Sequence, residues 1–242
     1  MSIVILSDIH SNLESFQAVL QDFSRERVDQ VLCLGDVVGY AADPDQCIET
    51  LRGLTSHVVA GNHDWAAVGL TDIGYFNPVA RAAIEWTASS ITADHSAYLK
   101  GLPLTLCLRG MLLVHATPCQ PESWDYIFSL DDAAMSFHHF DQQVCLTGHS
   151  HYPIAFAQDK EGTISVIWDS TFTLLESHRY LINVGSVGQP RDGDARAAYA
   201  IYKPEEASFT LRRVSYDITR TQGKIVAAGL PSFLAARLAA GR

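Results

Sequence analysis

The chain has 242 residues, 48% of them hydrophobic and 18% charged, enough material to bury a sizeable core in one domain spanning 1–242. Its formal net charge of −10 argues against the basic surface that a nucleic-acid duplex requires. The five cysteines (Cys33, Cys47, Cys107, Cys119, Cys145) are odd in number and lack C-x-x-C spacing, which argues against a disulfide frame or a zinc ribbon and for reduced thiols in a cytoplasmic protein. The N-terminal MSIVILSDIH has no basic n-region, and no run approaches the ~18 apolar residues of a membrane span. No membrane partner is expected.

In chain order, SIVILS reads as a buried strand. Ser11 and Glu14 have the spacing of a capping box, and Leu13, Phe16, Leu20 and Phe23 then give a helix one apolar face. QVLCLG reads as a second strand and PDQCIETLRGL as a helix with Pro44 in its first turn. HVVAG reads as a third strand, and Asn77-Pro78 opens a helix through about Thr92. This alternation predicts an α/β first half.

After Leu102 strands dominate. LTLCLRGMLLVHA predicts two strands joined by a tight turn at Arg109-Gly110. LDDAAMSFHHF is helical and QVCLTG is a strand. Further strands are expected at about 153–158, 163–169, 180–184, 197–202 and 207–215, before a terminal helix in PSFLAARLAAGR that stops at Gly241. A strand-rich second half predicts a second sheet packed on the first.

Five of the predicted strands end in the same chemistry. They deliver Asp8 and His10, Asp36, Asn62-His63-Asp64, His115, and His149 with His151, at the strand ends where α/β sheets place their sites. Half of the ten histidines fall in these corners. A single D-x-H after a strand is ordinary turn chemistry, but five such corners are not. Imidazole mixed with carboxylate suits Mn, Fe, Zn, Ni or Co rather than Ca or Mg alone. The groups are too many for one structural zinc, which takes four ligands, and suit two adjacent divalent transition metal ions.

These corners resemble the calcineurin-like metallophosphoesterase superfamily. Its pattern D-x-H, G-D, G-N-H-[D/E], H, G-H-x-H stands here as Asp8-Ile9-His10, Gly35-Asp36, Gly61-Asn62-His63-Asp64, His115 and Gly148-His149-Ser150-His151. NVGSVGQPRDGDARAAYAIY and GDVVGYAADPDQC are similar to segments of its small bacterial YfcE-like branch. The resemblance implies a four-layer αββα sandwich of two mixed β-sheets flanked by helices. It implies one metal on Asp8, His10, Asp36 and His151, and a second on Asp36, Asn62, His115 and His149. It also implies a hydrolase in which a metal-activated hydroxide attacks the phosphorus of a small, nucleotide-like or other phosphate-ester substrate. His63 would contact the phosphate and assist the leaving oxygen, and Asp64 would either orient His63 or serve as a helix-start carboxylate.

Outside the corners, Arg191 and Tyr40 are weaker candidates for contacting substrate, and Asn183, Gly185 and Ser186 for a turn against the metal loops. Cys119-Gln120 stand where relatives often carry Arg-Asp, which removes a cation from that loop, and Val184 stands in place of a frequent proline. With no Arg or Lys in the five corners, a phosphodiester is the expected substrate. A phosphomonoesterase or nucleotide pyrophosphate hydrolase is the alternative within the enzyme class, and a non-catalytic scaffold of the same fold the alternative outside it. A homo-oligomer is compatible with the sequence.

Overall fold

The computed structural model describes residues 1–242. The first half runs β1 (Ile3–Leu6), α1 (Leu13–Phe23), β2 (Gln30–Cys33), α2 (Pro44–Leu54), α3 (Asn62–Ala67), α4 (Pro78–Ser90) and α5 (Ala93–Lys100). There follow β3 (Thr105–Leu108), β4 (Met111–Val114), α6 (Leu130–Phe137), β5 (Val144–Thr147), β6 (Ile154–Gln158), β7 (Ile164–Ile167), β8 (Thr171–Thr173) and β9 (Arg179–Asn183). β10 (Ala197–Lys203), β11 (Ser208–Val214), α7 (Ile218–Ala227) and α8 (Ser232–Leu238) complete the chain. No helix is long and apolar enough to cross a membrane.

The strands form two mixed sheets, ordered β2-β1-β10-β11-β8 and β3-β4-β5-β9-β6-β7. β1 and β2 are parallel in the first, and β4, β5 and β9 are parallel in the second. Side-chain alternation produces the layers. Ile3, Ile5, Met111, Leu113, Val144, Leu146, Tyr180 and Ile182 meet in one core between the sheets. Their neighbours Val4 and Leu6 turn outward under α1 and α2, while Leu112, Val114, Cys145 and Leu181 turn outward under α6. The result is the expected αββα sandwich. Tyr40 and Ala41 belong to a separate apolar cluster made with α4, α7 and α8.

Two local expectations are corrected. The helix after β1 is capped by Asn12, whose side chain accepts from Ser15 N at 3.2 Å. Ser11 lies at φ 55°, outside the extended region an N-cap occupies, so its S-x-x-E spacing with Glu14 does not form the box. Glu14 instead binds Lys224 of α7 at 2.6 Å. HVVAG is extended beside β2 but forms a single bridge, Cys33 with Val58, because Ala60 N turns away to Pro103 O. The strand at 171–173 and the helices α5 and α7 have no counterpart in the sequence reading, which anticipated α3 only as the helix start at Asp64.

Candidate metal centre

The C-terminal ends of β1, β2, β4 and β5 converge at one edge of the sandwich, and the turns leaving them are sewn together. Asp8 N donates to Gly35 O at 3.0 Å, His10 N to Asp36 O at 2.9 Å, and Gly148 N to His115 O at 2.9 Å. Of the eleven non-glycine residues with left-handed backbone, five are expected ligands: Asp8, His10, Asp36, His149 and His151. Such conformations cost on the order of 1–3 kcal/mol each and persist where the surrounding structure dictates them. The turns here aim side chains inward at that cost.

Both carboxylates are held by one oxygen and present the other. Asp8 Oδ2 accepts from Ser7 Oγ at 2.5 Å and His149 N at 3.1 Å, leaving Oδ1 buried without a hydrogen-bond partner. Asp36 Oδ1 accepts from His63 N at 2.8 Å, which turns Oδ2 toward His10 Nε2 (3.5 Å) and His115 Nε2 (3.3 Å). Two glycines permit this. A Cβ on Gly61 would collide with Asp36 Oδ1, and one on Gly148 with Ser7 Oγ and Asp8 Oδ2.

The imidazoles are oriented by backbone carbonyls. The Nδ1–H groups of His10, His115 and His151 donate to Val38 O (3.0 Å), Leu34 O (2.7 Å) and Gln189 O (2.5 Å). In the neutral imidazole each Nε2 lone pair then faces the site. His149 is reversed: its Nε2 donates to Trp124 O at 2.8 Å, so Nδ1 is left as the inward donor. His10 Nε2 and His151 Nε2 lie 3.0 Å apart, and His151 Nε2 lies 3.2 Å from the orphaned Asp8 Oδ1. Lone pairs at such separations repel unless a cation lies between them. Ligands at ~2.0–2.2 Å from one ion stand roughly 3–3.5 Å from each other, which these spacings match.

The donor atoms fall into two overlapping groups, Asp8-His10-Asp36-His151 and Asp36-His115-His149, each with all its atoms within 4.8 Å of one another. Asn62 Oδ1, 3.2 Å from His115 Nε2, adjoins the second. These residues are buried. Burial alone would raise the carboxyl of Asp36, but His115 and His63 overcome it and hold it well below the usual range. His115 responds in the opposite sense: burial disfavours its charge, yet Asp36 and Asp8 lift it to about 9. Burial, then the charges of His115 and Arg191 respectively, hold His149 and His151 at about 3, so both are neutral and available as donors.

His63 lines the cleft over these donors, 4.8 Å from His10 and 4.4 Å from Tyr40 between ring centres. Its Nδ1 is buried against Gly39 without a partner, leaving Nε2 for the cleft. Asp64 does not orient it. The Asp64 carboxylate accepts from Val37 N (2.8 Å), Val38 N (3.1 Å) and Gly61 N (3.0 Å), tying the turn after Asp36 to the start of α3. Of the two roles its sequence position allowed, the helix-start carboxylate is the one observed. Arg191 and Tyr40 do come together at the cleft: an Arg191 Nη donates to Tyr40 Oη at 3.1 Å and to Gln189 Oε1 at 3.0 Å, and neither bond neutralises its charge.

The segment 183–189 forms the anticipated turn against the metal loops. Asn183 Nδ2 donates to Gly148 O and to Ser150 Oγ, Ser186 Oγ to Asp8 O at 2.8 Å, and Gln189 O fixes His151. Trp124 was not anticipated. Its contribution to His149 is a carbonyl oxygen from a left-handed residue, which no side-chain pattern announces.

This fold and this set of donors define a class. The profile of the calcineurin-like phosphoesterase superfamily domain matches residues 1–207, and the chain belongs to that family. It is 40% identical to an uncharacterized protein of Methanocaldococcus jannaschii over 99% of this chain and 98% of the relative. A metallophosphoesterase of Sphaerobacter thermophilus has a crystal structure similar to this one, at TM-score 0.88 and 42% identity, covering 100% of this chain and 99% of its own. A hypothetical protein of Pyrococcus horikoshii shares the fold at TM-score 0.81 and 18% identity, covering 100% of this chain and 98% of its own.

Proposed function

We propose that the protein is a phosphodiesterase with two divalent transition metal ions, its residues 1–242 acting as a single domain. The observation that carries this reading is the sharing of Asp36 between two groups of inward-facing donors beside a cleft that contains His63. Asp8, His10, Asp36 and His151 would hold one ion; Asp36, Asn62, His115 and His149 would hold the other. Mn, Fe, Zn, Ni and Co suit this mixture of imidazole and carboxylate. When bound, such ions supply Lewis acidity and bring the pKa of water toward neutrality.

The chain's own residues do the rest. Two divalent ions against the carboxylates of Asp8 and Asp36 leave the site net positive inside an acidic protein, so an anionic phosphate is attracted. Asn62 and His63, adjacent on the first turn of α3, point to the same cleft and fix where that phosphate sits. Burial keeps His63 neutral in the free site, its proton affinity well below the ordinary value. A phosphate oxygen arriving at Nε2 raises that affinity and lets His63 carry a proton toward the leaving oxygen. Arg191 is the only cationic side chain lining the cleft, which Asp72 and Glu122 also line. A diester monoanion fits that balance, whereas the additional charge of a monoester calls for further cations.

The test is kcat/KM for an aryl methyl phosphodiester against the aryl phosphomonoester with the same leaving group, in Mn-loaded enzyme at one pH. The diester is expected to be favoured. A clear monoester preference overturns the diesterase reading.

A further inference from the structure

The helices α7 and α8 lie beyond residue 207, where the match to the family ends. Their buried side chains Ile225, Leu230, Leu234 and Leu238 stand apart from the cores against the two sheets. They gather instead with Tyr40 and Ala41, in the loop after Asp36, and with α4. Polar contacts anchor the pair to the turns that carry the metal donors. Lys224 Nζ donates to Asp43 Oδ2 at 2.7 Å, and Thr221 Oγ1 donates to Asn12 Oδ1 at 3.0 Å. Gln222 Nε2 of α7 donates to Ala235 O of α8 at 2.8 Å, so the two helices move as one.

Two independent contacts run from this pair to Arg191. The first passes through Tyr40, whose left-handed backbone seats its ring against α7 and α8 and whose hydroxyl accepts from an Arg191 Nη at 3.1 Å. The second passes through the backbone just after α8, where Gly193 N donates to Gly241 O at 3.0 Å. Gly241 is buried at φ 61°, and a Cβ on it would come within 2.8 Å of the backbone of Gly193 and Asp194. Only glycine fits there without displacing the loop that carries Arg191. The carboxylates of that loop are engaged elsewhere, Asp192 by Arg213 and Asp194 by Arg196. Arg191 is therefore held from two sides, and its charge is left without a carboxylate partner at the cleft.

We propose that α7 and α8 form a positioning element for Arg191, with Tyr40 and Gly241 as the positioning residues through which they hold its guanidinium toward an oxygen of the bound phosphate. The proposal rests on the phosphoesterase reading of the same site. A long side chain loses rotamer freedom when it grips an anion, and one held beforehand has less to lose. Gly241 does not line the cleft, so it acts through the loop alone.

The probe is inorganic phosphate, its binding to Mn-loaded protein followed by calorimetry with metal content measured beside it. Arg191→Ala is expected to weaken phosphate by about 10- to 150-fold, the span of a hydrogen-bonded contact to a charged group. Tyr40→Phe, which loses only the hydroxyl, should weaken it by about 2- to 10-fold, and Gly241→Ala several-fold, with metal content unchanged. Neither should weaken it further in an Arg191→Ala background, because both act through that side chain. Gly229→Ala is the control: Gly229, between α7 and α8, has φ 72° but open space where a Cβ would stand, and its replacement should bind phosphate as the wild type does. Wild-type affinity in Tyr40→Phe and Gly241→Ala, losses that multiply with that of Arg191→Ala, an equal loss in Gly229→Ala, or a wild type that binds no phosphate overturns the proposal. Should Gly241→Ala fail to fold, the cycle of Tyr40→Phe with Arg191→Ala decides alone. If the affinities follow the expected order in a protein that hydrolyses no phosphodiester, the diesterase reading fails and the positioning role stands. If every variant binds phosphate equally while the diester is hydrolysed, the reverse holds.

Discussion

Between the two sheets, Ile3, Ile5, Leu113, Leu146 and Ile182 are buried apolar side chains on strands, and none has left-handed backbone. Within a few residues beyond the ends of these strands, Asp8, His115, His149 and His151 are also buried but polar. Three of those four, with Asp36 and His10, hold left-handed backbone, and Asp8 Oδ1 lacks any hydrogen-bond partner. The first region gains free energy on burial, at about 25 cal/mol per Å² of apolar surface. The second loses it through desolvated charge, lone pairs in mutual contact and strained turns. The core is thus what holds the metal loops in a geometry they would not adopt alone. Ions bound there relieve the deficit and should stabilise the fold by mass action.

That contrast is broken most sharply at His63, which adjoins the donors without belonging to either group. His63→Ala is expected to lower turnover by about 10²–10⁴-fold, the contribution of a positioned acid–base group, while both metals remain bound. Steady-state kinetics with metal analysis checks it, and a parallel loss of metal would place His63 among the ligands.

A core substitution should do the converse. Leu113→Ala removes a fully buried side chain between the sheets and is expected to cost about 2–5 kcal/mol of stability. Metal content and kcat of the folded fraction should be unchanged, because the strand still ends at His115. Denaturant titration beside activity at low temperature measures both.

The smallest effect separates the free site from the loaded one. Burial opposes charge on His115, but Asp36 and Asp8 raise its pKa from 6.5 to about 9. A raised folded-state pKa stabilises below the unfolded value, and the contribution is lost as pH climbs through the folded value. The metal-free protein should therefore lose Tm between pH 6.5 and 9, at about 2–4 °C per kcal/mol for a chain of this size. Metal requires the neutral imidazole, so loaded protein should lack this slope. A loaded protein with the same slope would mean that His115 keeps its proton and is not a ligand.

Much of the site was legible because side chains announced it: Asp or His recurring at strand ends, and glycines at 61 and 148 where backbone must pass close to a carboxylate. The alternating strands likewise announced two sheets. What escaped was carried by backbone or by remote contact. Trp124 acts through its carbonyl, and the aromatic residues lining the cleft join segments near 75 and 125 that share no local pattern. Ser11 misled because spacing alone does not report φ, and Asn12 took the cap.

Whether Asp36 serves two ions through one carboxylate is read from the number of metal ions retained per chain after chelator treatment, reconstitution with Mn and removal of the excess, measured by mass spectrometry on wild type and Asp36→Asn. Close to two ions are expected in the wild type, and loss of both in the variant. A wild-type value near one, or an Asp36→Asn protein that keeps one ion at full occupancy, would contradict a shared carboxylate.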